Sequence, residues 1–152
     1  MLRDKKAAKL FQLACFFLIA VLATSCGSVS SKEEKQHENL KGSVEAFNSA
    51  FRWEDYKTAA IFINPDQKEL FWNEVDKFKG KIRLVDFQVR DIAWKDKSNV
   101  ATAIVFFQFY KTSAPTLETV NFQQKWYYSE KDKHWRVGES GFQAITKEGK
   151  GL

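Results

Sequence analysis

Residues 117–137 read LETVNFQQKWYYSEKDKHWRV, and this stretch decides the fold. Val120, Phe122, Trp126 and Tyr128 fall on one parity and Thr119, Asn121, Gln123 and Lys125 on the other, the period-two alternation of a half-buried strand. The polar run 129–133 then turns the chain into a shorter strand over 134–138, with Trp135 and Val137 on its apolar side. An amphipathic hairpin of this kind needs something to lie against its apolar face.

Working upstream, two further stretches have strand character. In 82–94, Val85, Phe87 and Val89 alternate with polar neighbours while Ile92 and Trp94 take the other parity, so a bulge is predicted near Arg90 and Asp91. Residues 99–110 are apolar on both parities around Ile104 to Phe107, the pattern of a central strand covered on both faces. Short turns over 95–98, 112–115 and 130–133 join four strands in series.

Before the strands the period changes. Leu40, Val44, Phe47 and Phe51 recur at intervals of four, three and four, which predicts a helix over 36–52. Tyr56, Ala59, Ala60 and Ile63 continue the helical period for a short second segment, broken at Asn64-Pro65. A third helix is expected from Pro65 or Asp66 to Phe78, with Leu70, Phe71, Val75 and Phe78 inward and Gly80 as its stop. No internal repeat is visible. The expectation is an α+β domain over 36–140, with three N-terminal helices packed on a curved four-stranded antiparallel sheet. Residues 26–35, serine-rich and then charged, read as a flexible tether, and 141–152 as a C-terminal tail.

The order of elements and the closing pattern of an aromatic strand (Gln124 to Tyr128), a polar turn and Trp135-Arg136-Val137 resemble the NTF2-like fold, the SnoaL-like or cystatin-like cone, over about 36–140. In enzymes of that fold, the resemblance implies, a pocket between sheet and helices holds a carboxylate or histidine base and a phenolic or acidic partner.

The N-terminus carries an address. Residues 1–9 are basic, and 10–23 form an apolar run interrupted only by Gln12, the two parts of a secretory signal. The run has 14 residues, whereas a membrane-spanning helix needs about 20. Ala23, Thr24 and Ser25 lead into Cys26 and Gly27, which resembles the lipobox of bacterial lipoproteins. That resemblance implies lipid on the Cys26 thiol, cleavage before it and acylation of the new amine. Gly27 in place of Asp implies the outer membrane, with the domain facing the periplasm. Cys15 lies in the segment that would be removed, so no internal disulfide is available to the mature chain. Anchoring by several acyl chains is stable where one is marginal. The alternative is an uncleaved helix holding a bitopic subunit of an envelope assembly.

Composition narrows the function classes. The formal net charge is +5 over 152 residues, but residues 1–25 hold Arg3, Lys5, Lys6 and Lys9 against Asp4, a net +3, leaving +2 for the rest. That remainder is interspersed with acids, as in Lys95-Asp96-Lys97, and does not make the basic stripe a nucleic acid requires. A metal site lacks ligands and no glycine-rich phosphate loop follows a strand, so neither metal nor cofactor is expected. His37 beside the tether and His134 in a charged turn are expected in solvent. Asp86 and Asp91, with Tyr110, Tyr127 and Tyr128, are the residues from which an acid–base pair would have to come, but no spacing pairs them. Asp55 and Tyr56 point to different sides of a helix. No catalytic residue is assigned.

The aromatic content is high, with 14 Phe, 5 Trp and 4 Tyr. Core packing claims most of it. Trp94, Phe109, Trp126 and Tyr128 are the candidates to line an apolar cavity or to form a face for a partner or a homodimer. The expected function is a membrane-tethered, non-catalytic module for a protein partner or small apolar ligand. The alternative is a small lyase or isomerase using Asp91 and a tyrosine.

Overall fold

The computed structural model describes residues 27–94 and 99–142, with side-chain surroundings from Glu34 onward. The signal segment, Cys26, the turn over 95–98 and residues 143–152 lie outside the described residues. The chain divides into two compact units after Lys35, and the fold below is that of the unit beginning at Gln36.

Helix α1 spans Gly27–Arg52 and so begins well before residue 36. The residues read as a tether from 27 onward are therefore helical. Lys32, Glu33, Glu34 and Lys35 have high helix propensity, and a helix already nucleated on an apolar stripe extends through such residues. The stripe itself is as expected, with Leu40, Val44, Phe47 and Phe51 all buried.

After α1 comes the short α2, Tyr56–Ala59, whose N-cap Asp55 accepts the Thr58 backbone N–H at 3.1 Å. The Thr58 side chain, and after it this backbone bond, hold the Asp55 carboxyl below its usual range. A 3₁₀ turn over Pro65–Gln67 leads into α3, Lys68–Phe78. Proline supplies the starting φ and Gly80 the ending one, at +74°. Phe71, Val75 and Phe78 face the core, but Leu70 is exposed and Glu74 is buried in its stead.

The sheet is a meander, β1 (Ile82–Trp94), β2 (Val100–Lys111), β3 (Ala114–Ser129) and β4 (His134–Glu139), in that spatial order and antiparallel throughout. The expected bulge in β1 is present between Val89 and Asp91. A second lies between Leu84 and Asp86; it turns Val85 out and leaves Leu84 against the core. In β2 the expectation of two covered faces is corrected. Ala101, Ala103, Val105, Phe107 and Phe109 are buried in strict alternation, whereas Ile104 is 38% exposed and Phe106 carries Arg90 over its ring at 4.8 Å. Helices cover only one side, so the apolar residues of the other parity stay at the surface.

Both sheet edges are protected. At β4, the Val137 N–H donates to the Phe62 carbonyl at 2.7 Å and the Asn64 N–H to the Val137 carbonyl at 3.2 Å, a short parallel bridge that occupies the edge. At β1 the two bulges interrupt the regular ladder another strand would need.

Candidate functional site

The concave side of the sheet, where α1 and α3 pack, is filled. Phe142 lies past residue 140, where the sequence pattern ended, yet it is 1% exposed. Its ring stacks on Phe51 with centroids 3.7 Å apart and meets Phe47, Phe78, Phe107 and Phe122 within 6 Å. Gly141 makes the approach possible. Its φ is +78°, and a Cβ there would sit 3.1 Å from the Gln123 carbonyl oxygen and from Phe122. The core therefore extends into the segment read as a tail.

Two amides are buried among these rings. Asn48 Nδ2 donates to Gln124 Oε1 at 3.1 Å and to the Val44 carbonyl at 2.7 Å, and Gln124 Nε2 donates to Asn48 Oδ1 at 2.8 Å. Both side chains are 0% exposed. The pair is a neutral latch between α1 and β3, without a proton to exchange near neutral pH. The sequence carried a signal for it: Asn48 falls on the α1 stripe four residues after Val44, and Gln124 has the inward parity of Phe122 and Trp126.

The four aromatic candidates separate into two groups. Phe109 and Trp126 are buried in the core, Trp126 with its ring edge-on to Phe47 at 5.8 Å, and neither presents a ring to solvent. Trp94, in the same cross-strand row as Trp126, and Tyr128 are half-buried, and both pack against Trp135 at 6.2 and 5.3 Å. Trp135 Nε1 donates to the Gln36 carbonyl at 3.1 Å, and His37 stacks at a tilt on Trp94 at 5.8 Å. This cluster ties the domain's first helical turn to the sheet.

A groove of about 980 Å³ lies between α1 and β1. Its α1 wall carries His37, Lys41, Glu45 and Ser49; its β1 wall carries Phe87, Val89 and Ile92, with Arg90 and Asp91 from the bulge. α1 packs on β3 through Asn48–Gln124 and Phe47–Trp126, and the inward residues of β1 are left half-covered. His37 and Asp91, with no sequence spacing to connect them, thus come to one groove. Both are exposed, as is His134. Asp86 is not in the groove's acid–base set; it pairs with Arg52 at 3.3 Å on the surface. Tyr110 and Tyr127 lie on the opposite sheet face, Tyr127 over Gly138, where a Cβ would meet its ring at 2.5 Å. Among the described residues no group of three potential ligands could hold a metal ion.

No known protein family and no curated protein sequence matches the chain. Solved structures do. A ketosteroid isomerase-like protein from Erwinia carotovora atroseptica superposes with a TM-score of 0.54 at 8% identity, over 66% of this chain and 89% of that one. A candidate polyketide cyclase from Xanthomonas campestris pv. campestris gives 0.48 at 16% identity, over 68% and 90%. At such identity the likeness is one of fold, and the domain has the NTF2-like α+β fold.

Proposed function

We propose that the protein is a lipid-tethered, non-catalytic binding module of the bacterial envelope, which holds a protein partner or small apolar ligand in the groove between α1 and β1. The observation that carries this reading is the filled interior. The space between helices and sheet is occupied by Phe142 and the rings around it, with the amides of Asn48 and Gln124 paired among them. What stays open is a long, shallow groove with apolar residues at its floor and charges of both signs along its rim, which suits a partner surface or extended ligand. Tethering at Cys26 would keep such a module at the outer membrane facing the periplasm.

The test is site-specific photocrosslinking in cells, with the photoreactive residue at Ala46 in the groove or, as control, at the exposed Lys57 of α2. A discrete adduct from Ala46 that Val89→Arg abolishes supports the groove. Equal adducts from both positions, or none, count against it.

A second reading, a small lyase or isomerase, has one observation in its favour: His37 and Asp91 line the two walls of the same groove. It expects protein-dependent exchange of the α-protons of a ketone in deuterated water, lost on Asp91→Asn. An exchange rate equal to that of buffer alone rejects it. A bitopic envelope subunit remains the outcome if Cys26 is not processed.

A further inference from the structure

A second cavity, of about 170 Å³, lies on the far side of the domain between α3 and the end of β4. Glu74 lines it, 92% buried on the face of α3 where Leu70 was expected to turn inward. Among the described residues it accepts a hydrogen bond from the Ser140 hydroxyl at 3.5 Å, the outer limit of such a bond. Among the described residues no cation pairs with it. Burial of a carboxylate without a counter-charge is costly, and native structures place one this way when something else supplies the charge.

The remaining lining shows what would. Among the described residues, every charged group lining the cavity is acidic, and Glu139 pairs with Lys125 at 4.0 Å. Gln67 lines it as well, the Gln123 backbone carbonyl lies beside Gly141, and Ile63 and Phe71, both buried, form apolar walls. We infer that this cavity is a binding site for a primary alkylammonium group, its cation on the Glu74 carboxylate and its hydrocarbon stem against Ile63 and Phe71.

Size and chemistry both favour that class. At roughly 30 Å³ per displaced water, the cavity of about 170 Å³ takes between five and six such volumes, the bulk of a butyl chain with its ammonium. An ammonium is a compact charge with three donors, which one deep carboxylate and neighbouring neutral oxygens accommodate. A hard metal ion asks for six or more oxygens, which a narrow site with a single deep carboxylate does not supply.

The experiment is an amide-resolved NMR titration of the full-length protein in detergent micelles with n-butylammonium chloride, n-butanol and sodium chloride in parallel. Saturable shifts confined to Glu74, Gln123 and residues 138–141 are expected with the amine alone. Glu74→Gln should weaken them at least about tenfold, the cost of a charged hydrogen bond. If Glu74→Gln does not fold, Leu70→Trp, at an exposed position on the rim, should block binding without touching the core. Equal shifts with butanol, no saturation, or binding indifferent to both variants would overturn the site. An Nα-acetyl-lysine amide arm separates the sources: tighter binding than butylammonium assigns the group to a protein lysine, and weaker binding to a free amine.

Discussion

The ring of Phe142 lies flat on that of Phe51, at an interplanar angle of 12°, so that the last described residue of the chain is bonded by packing to the last apolar residue of the first helix's stripe. This contact closes the interior. Phe142→Ala should lower stability by about 3–5 kcal/mol, the usual cost of deleting a buried aromatic ring. The vacated space, lined by phenylalanines, should bind benzene, read as a partial recovery of the thermal midpoint. A loss below 1 kcal/mol would mean that the segment after β4 frays without consequence.

The Phe142 contact depends in turn on Gly141. Gly141→Ala imposes a side chain on a left-handed backbone and pushes its Cβ against the Gln123 carbonyl. A cost of about 1–3 kcal/mol in urea unfolding is expected from the backbone conformation. Combined with Phe142→Ala the two effects should fall short of additive, because both act by releasing the same ring.

Asn48 and Gln124 form a reciprocal buried pair, so each protects the other from being left unsatisfied. Gln124→Leu alone should cost about 1–3 kcal/mol, since it strands the Asn48 carboxamide oxygen in the core. The double variant Asn48→Leu with Gln124→Leu should be less destabilised than the sum of the singles. Simple additivity in that cycle would show that the amides do not interact in solution.

Tyr56 supplies a pH dependence. Its phenol is pushed up from 10.0 to about 12, first by burial and then by the charge of Glu54, with Arg83 opposing. Between those values the folded chain keeps a proton that the unfolded chain has released, so stability from this group is full below pH 10 and is lost as pH rises through about 12. In an alkaline absorbance titration, one of the four tyrosines should ionise late, and Tyr56→Phe should remove that step and flatten the alkaline loss of stability. Four tyrosines titrating together near their ordinary value would contradict this.

The membrane address is checked by intact mass. Protein purified from membranes is expected at the mass of residues 26–152 plus acyl chains, and Cys26→Ala should abolish both cleavage and lipid. An unmodified full-length mass in the wild type would favour the bitopic reading.

What the sequence determined by itself was every property that repeats along one element. The α1 stripe of Leu40, Val44, Phe47 and Phe51, the alternation of β3, the bulge at Arg90 and the stop at Gly80 are all local, because period and backbone preference act between near neighbours. The order of these elements then left few ways to cover one sheet face. The tertiary structure alone decided which apolar positions found a partner. Ile104 and Val85 alternate or cluster like core residues but face away from the helices, and Leu70 yields its inward place to Glu74. It also decided which distant residues meet: Phe142 with Phe51, Asn48 with Gln124, His37 with Asp91 in one groove. Such meetings depend on where a helix lies across the sheet. That placement is set by the volumes packed between them, a sum over the whole core that no single stretch of sequence contains.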